Sequence, residues 1–182
     1  MPPAAAPGYG ATVPELVPPT VALEAAWRTA SEEWWPGRHE DGFGLLPSDD
    51  VASPRGFAAW VARLLAEEDP AGAGPRCTYR WVVEGGEVLG GIALRHSPPA
   101  DQDHLGHVGY GIRPSARGRG LAGWALGRML GEARRLGLEQ VLVVCSEENL
   151  ASARTVERLG GRLLEVVETP LGRARRYSVG IS

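Results

Sequence analysis

The sequence predicts an α+β fold, α/β-like in having three layers: a mixed, mostly antiparallel twisted sheet with helices on both faces. Three observations carry this. The pair Gly85-Gly86 separates two stretches of β character, Thr78–Glu84 and Glu87–Arg95, which is a two-residue hairpin signal. Ala122, Leu126, Met129, Ala133 and Leu136 follow at helical spacing directly after a strand-like stretch. A second helical pattern, Leu150–Leu159, follows the continuous apolar run Val141–Cys145, which suits a buried strand. Hairpins need antiparallel neighbours and the two crossover helices do not, so the sheet must mix both directions.

The elements follow in chain order. Residues 1–10 are Pro/Ala/Gly-rich and read as a disordered tail, with residues 11–182 as a single domain long enough to bury a substantial core. Val13–Val17 is a short strand. Thr20 is an N-cap for a helix over Val21–Trp35, with Val21, Leu23, Ala26, Trp27 and Trp34 as its apolar positions. Pro36–Pro54 is a long Gly/Pro/Asp-rich loop, of a kind that often carries function. Ser53 caps a second helix, Pro54–Glu68, with proline at its first position. Ala71–Pro75 is a break, and after the hairpin His96–Leu105 is a polar loop. Val108, Tyr110 and Ile112 then alternate with small residues as a strand that Pro114 stops. Gly137 closes the following helix, Asn149 caps the next, Gly160-Gly161 ends it, and Arg162–Glu168 and Arg173–Ile181 are two closing strands.

Composition narrows the function classes. A net charge of −3 gives no indication of non-specific nucleic-acid binding. Two cysteines make no disulfide framework, no stretch is long and apolar enough to span a membrane, and no secretory leader is evident. These features predict a cytoplasmic protein with neither nucleic acid nor membrane as partner. The charge is uneven: residues 1–70 hold eleven acids against four arginines, a balance of −7, so residues 71–182 carry +4. Between Arg113 and Arg135 there are six arginines and one acid, Glu132. A basic half suits a polyphosphate ligand and an acidic half a cationic one; a solvated face is the other reading of each.

The stretch Gly106–Ala122 reads as strand, tight loop and helix start. Gly118 and Gly120 allow a sharp turn, and the first N–H groups of the helix have no partner inside it. With the macrodipole and two flanking arginines, these are the ingredients of a phosphate site. Gly118-x-Gly120-x-x-Gly123, followed by a strand over Gln140–Cys145 and then by Glu147 and Glu148, formally meets the dinucleotide fingerprint. Against it, the strand ends several residues before the first glycine and about a hundred residues precede the motif. A P-loop is excluded, because the chain has no lysine.

The third reading is a resemblance. Arg117-x-x-Gly120-x-Ala122 resembles the acetyl-CoA signature (Gln/Arg-x-x-Gly-x-Gly/Ala) of the GNAT superfamily of N-acyltransferases. The element order matches that fold over most of the chain. Ile92-Ala-Leu-Arg-His96, Gly106-His-Val-Gly-Tyr-Gly-Ile-Arg-Pro-Ser115, Cys145-Ser-Glu-Glu-Asn149-Leu-Ala-Ser152, Glu157-Arg-Leu-Gly-Gly161 and Arg175-Arg-Tyr177 resemble one bacterial subgroup of acetyltransferases. The resemblance implies direct transfer of an acetyl group from acetyl-CoA, as cosubstrate and without a metal, to a primary amine of a small molecule or peptide, by a monomer or homodimer. It implies that backbone groups of Tyr110, Gly111 and Ile112 pair with the pantetheine arm and face the thioester carbonyl. It implies that Arg117, Gly118, Arg119, Gly120, Leu121 and Ala122 hold the pyrophosphate, and that Asn149 and Ser152 lie on the cofactor side.

One position departs from the family. Many members carry tyrosine seven residues after the matching asparagine, as the acid for the leaving thiolate; here it is Val156, on an apolar helix face. The acid is left among Ser152, Tyr177 and the amine's own proton through solvent. Glu148, and after it Glu147, are candidate bases, and charge pairing ahead of the helix cap is their other reading. His96 and His107 read as structural hydrogen-bonders, and Cys145 as a buried, inert thiol. Trp27, Trp34 and Trp35, beside the acidic loop Glu40–Asp50, suit a cationic or aromatic acceptor, although packing also accounts for Trp27. Two other classes stay open: a non-catalytic acyl-CoA-binding module and a nucleotide-dependent oxidoreductase.

Overall fold

The computed structural model describes residues 12–34, 42–72, 74–97 and 105–181. The expected tail, residues 1–10, lies outside them, as do Trp35 and most of the polar loop after His96. The strands are β1 (Glu15–Val17), β2 (Cys77–Glu84), β3 (Glu87–Arg95), β4 (Val108–Ile112), β5 (Gln140–Ser146), β6 (Arg162–Thr169) and β7 (Gly172–Gly180). The helices are α1 (Glu24–Glu32), α2 (Pro54–Glu68), α3 (Leu121–Arg135) and α4 (Leu150–Arg158). The chain therefore follows the expected order. The sheet runs β1-β2-β3-β4-β5-β7-β6, with β4–β5 parallel and the other neighbours antiparallel.

Local chemistry sets the boundaries. Gly85 and Gly86 take φ of 58° and 83°, the primed turn that matches strand twist, and pair Glu84 with Glu87. Thr20 accepts from the Ala22 N–H at 3.3 Å and caps a 3-10 turn leading into α1, while Ser53 caps α2 through the Gly56 N–H at 3.0 Å. Gly137, at φ 77°, ends α3 as the Leu138 N–H reaches back to the Ala133 carbonyl at 3.0 Å.

Two cores flank the sheet. Leu126 and Met129 of α3 and Ala153 and Val156 of α4 pack on Ile92, Leu94, Val108, Val143 and Tyr177. On the opposite face α1 and α2 bring Trp27, Phe57 and Trp60 against Trp81 of β2. This corrects two expectations. Trp27 and Trp34 are buried, in ring contact with Phe43 at 6.1 and 5.2 Å, so they pack this second core rather than offering faces to an acceptor. Val21, expected on the apolar stripe, is 51% exposed.

Candidate active site

The parallel pair at the centre of the sheet is short. Its one ladder pair is Val108↔Val143, and no further pair joins β4 to β5 among the described residues. Beyond it β4 is held by β3 through Ile92↔Tyr110, Gly91↔Gly111 and Gly90↔Ile112, and β5 by β7 as far as Ser146↔Ala174. Each strand follows a different partner, which leaves a cleft between their C-terminal ends. His107 sits on the closed side of that ladder pair. Its N–H donates to the Leu142 carbonyl at 2.8 Å, and its Nδ1 accepts the Leu142 N–H at 3.0 Å. A β5 donor is thus spent on an imidazole, which fixes the proton on Nε2 and makes His107 structural.

The backbone of β4 is aimed by its pairing with β3. The Arg113 N–H donates to the Leu89 carbonyl at 2.8 Å, so by strand alternation the backbone groups of Tyr110 and Ile112 face the β5 side. The Ile112 carbonyl there accepts from Arg117 Nε at 2.9 Å. A Cβ on Gly90 would lie 2.2 Å from the Gly111 carbonyl, so β3 must be bare at that point. Gly91, the partner of Gly111, is covered from the other face by Gly42 and Phe43. The loop after α1 therefore reaches the sheet beside the cleft.

The start of α3 forms the second wall. A 3-10 turn, Pro114–Ala116, leads through Arg117 to Gly118 and Gly120, at φ 77° and 76°. α3 has no side-chain cap, and a Cβ on either glycine would meet nothing within 4 Å. Uncapped N–H groups, an open approach and the positive end of a 15-residue helix fit a pyrophosphate. The side chains there are partly committed. Arg119 pairs with Glu84 at 2.8 Å, and Arg113 lies between Glu87 and Glu33. Glu33, which ends α1, accepts from the Ser115 N–H at 2.9 Å and hydroxyl at 2.7 Å. Those bonds, together with the Arg113 charge and against partial burial, hold its carboxyl below the usual range. They also tie the end of α1 to the loop that leads into α3.

The start of α4 forms the third wall. Asn149 accepts the Ser152 N–H at 3.0 Å and caps the helix. The Ser152 hydroxyl, buried, lies 2.7 Å from that of Tyr110. This hydrogen bond spans the cleft from β4 to α4. Sequence reasoning used only the backbone of Tyr110; strand alternation with Val108 and Ile112 already placed its side chain on the α3/α4 face. Cys145 is buried beside Ser152; burial raises its thiol above the ordinary value, while Ser152 and Arg175 act in the opposite direction. Val156 is fully buried.

The other candidates fall farther out. Tyr177 is fully buried, and its hydroxyl donates to Glu157 at 2.9 Å. Burial and that bond raise its pKa. Glu147 is paired with Arg173 at 3.1 Å, whereas Glu148 is exposed just ahead of the α4 cap. His96 Nε2 lies 2.9 Å from the Thr78 hydroxyl, and burial, then Arg76, lowers its pKa. Among the described residues no three His, Cys, Asp or Glu side chains cluster as metal ligands, and no helix is long and apolar enough to cross a membrane.

Known proteins fit this architecture. A family model described as "Acetyltransferase (GNAT) domain" matches residues 15–162. A mycothiol acetyltransferase from Geodermatophilus obscurus is 36% identical over 111 residues, covering 56% of this chain but 34% of its own length. Among solved structures, the microcin C7 self-immunity acetyltransferase MccE, in complex with acetyl-CoA and AMP, superposes with TM-score 0.69 at 13% identity over 92% of each chain. A Salmonella typhimurium acetyltransferase that modifies the N-terminal serine of ribosomal protein L7/L12 superposes with TM-score 0.69 at 15% identity over 93% of this chain and 95% of its own. This sheet, with one parallel pair among antiparallel neighbours, is not the doubly wound parallel one that the Gly118-x-Gly120-x-x-Gly123 fingerprint requires. The chain belongs to the GNAT family of acetyltransferases and is an acyltransferase by that membership.

Proposed function

We propose that the protein is a cytoplasmic N-acetyltransferase that moves the acetyl group of acetyl-CoA directly to a primary amine of a small molecule or peptide. The observation that carries this is the cleft between β4 and β5, which opens past Val108↔Val143 and lies between the uncapped start of α3 and the start of α4. Acetyl-CoA supplies an activated acyl group on a thiol that leaves readily. The backbone N–H groups of Gly118–Ala122, with Arg117 and Arg119, bind its pyrophosphate. The backbone groups of Tyr110 and Ile112 orient the pantetheine arm along β4, Gly111 between them being paired with β3 and leaving that stretch of strand bare, and a backbone N–H of this strand polarises the carbonyl to be attacked. Asn149 and Ser152 hold the arm from α4.

The chemistry then needs proximity and proton management rather than a covalent enzyme intermediate. Cys145, buried with a raised pKa, is a poor nucleophile. Glu148, exposed just past β5 and without a partnering arginine among the described residues, takes the amine's proton directly or through water; Glu147 is held by Arg173. The acceptor is cationic, drawn by the −7 balance of residues 1–70. A peptide N-terminus, such as the N-terminal serine that the Salmonella acetyltransferase modifies, fits an amine of this class, as does the amine of a small molecule.

The test is release of free thiol from acetyl-CoA against a panel of amines, including aminosugars and serine-initiated peptides, with melting curves in CoA or NAD. Thiol release with at least one amine and stabilisation by CoA alone is the expected result. Stabilisation by CoA with no turnover on any amine would make the chain a binding module, and stabilisation by NAD alone would overturn the proposal.

A further inference from the structure

We infer that Glu84 is an internal competitor for the pyrophosphate of CoA: it holds the Arg119 side chain in the free protein, yields it when the cofactor binds and recovers it when CoA leaves. The inference rests on the proposed cofactor site and names a residue that sets its affinity. The loop Arg113–Gly120 contains three arginines and no acid. The fold returns three carboxylates to it, Glu33 from the end of α1 and Glu84 and Glu87 from either side of the β2–β3 turn. A cradle that is strongly basic by residue count is therefore balanced by acids from distant segments. Arg119 Nη2 donates to both Glu84 oxygens, at 2.9 and 2.8 Å. The Arg119 side chain is 46% exposed and that of Glu84 17%, so the arginine is the partner free to swing.

The hairpin itself resists the exchange. Glu84 and Glu87 stand directly opposite each other across Gly85-Gly86. Like charges in a cross-strand pair destabilise a sheet, and here Arg119 and Arg113 offset the repulsion. Drawing Arg119 onto a phosphate leaves Glu84 uncompensated beside Glu87. A phosphate that instead joined Arg119 through its other nitrogens would lie across one guanidinium from the Glu84 carboxylate, and the two like charges would repel. Either way Glu84 opposes binding. The reverse role, in which Glu84 holds Arg119 in the pose that a phosphate needs, predicts the opposite sign.

Calorimetry of CoA with Glu84→Gln reads that sign and needs no acceptor. Glutamine keeps the length of the side chain and removes its charge. CoA should bind roughly 5-fold more tightly than to the wild type, the size of a partly exposed ion pair. Glu84→Ala repeats the measurement without an amide that can bond to Arg119, and should also tighten binding. The gain should shrink between 0.1 M and 1 M salt, as the screening length falls from roughly 10 Å to roughly 3 Å. Glu165→Gln removes an equal charge, paired with Arg176 at the far edge of the sheet, and should leave CoA affinity unchanged. In the free protein, relief of the Glu84–Glu87 repulsion offsets the lost ion pair, so both Glu84 variants should melt near the wild type. Unchanged or weaker CoA binding in the Glu84 variants, an equal gain in Glu165→Gln, or a gain insensitive to salt would overturn the inference. So would Glu84 variants that melt far below the wild type, because the pair would then be structural. If the wild type itself binds no CoA, the proposed function fails instead.

Discussion

Replacing Tyr177 by Phe separates a structural hydroxyl from a catalytic one. The ring is fully buried between β5 and β6, opposite Val143 and Leu163, and phenylalanine keeps it. What is lost is one hydrogen bond, 2.9 Å long, to the Glu157 carboxylate. A bond to a charged group contributes about 1.5–3 kcal/mol, and Glu157 is exposed, so water re-solvates it and the loss falls to about 1–1.5 kcal/mol. For a chain of 182 residues that lowers Tm by roughly 2–6 °C. The raised phenol pKa adds a pH signature. The folded state favours the protonated ring, so its contribution is complete below the unfolded value of about 10 and is lost as pH rises through the folded value. Melts from pH 7 to 11 should therefore show the wild type losing its advantage over Tyr177→Phe only at the alkaline end, while kcat for acetyl transfer stays near wild type at pH 7. An unchanged Tm together with a fall in kcat of about 10²-fold would make Tyr177 the acid and refute the reasoning.

Other outcomes follow from the same geometry. Glu148→Gln should lower kcat by about 10²-fold at pH 7 and by less at high pH, where the amine sheds its own proton, and Glu147→Gln should do less; the reverse order in pH–rate profiles would move the base to Glu147. Cys145→Ala should keep most activity and show sequential kinetics, and an acetyl-enzyme trapped on any residue would contradict direct transfer. The second-order rate constant for the acceptor, measured with acetyl-CoA saturating, should fall as salt rises, because exposed charges are screened over roughly 10 Å at 0.1 M. A constant that is flat or rises with salt, or an anionic preferred acceptor, would remove the cationic assignment.

The elements were legible where a local rule acts alone. Gly85-Gly86, Ser53-Pro54, Gly137 and Asn149 each encode a turn or cap through backbone conformation or a single hydroxyl or amide, and each stands where it was expected. What escaped were contacts set by packing between distant segments. The period of α1 shows that Trp27 is apolar but not that Phe43, Phe57 and Trp60 will enclose it. Charge counting assigned Arg119 to a ligand, yet nothing local says that Glu84, 35 residues earlier, reaches it across the hairpin end. The cleft is the same kind of feature. It opens because β3 and β7 claim β4 and β5 separately past Val108↔Val143, and no period in either strand reports that.

The central claim is that the start of α3 holds the pyrophosphate of acetyl-CoA, and calorimetry of CoA with Gly120 variants tests it most directly. Gly120 sits at φ 76° with nothing within 4 Å of an added Cβ, so Gly120→Ala adds left-handed strain of about 1 kcal/mol without steric conflict. Gly120→Glu adds that strain, a longer side chain and a negative charge at the uncapped N-terminus. The account predicts that Gly120→Ala binds CoA within about 10-fold of wild type, which is what about 1 kcal/mol allows, and that Gly120→Glu loses at least about 100-fold, or about 2.7 kcal/mol. Wild-type affinity in Gly120→Glu would contradict it.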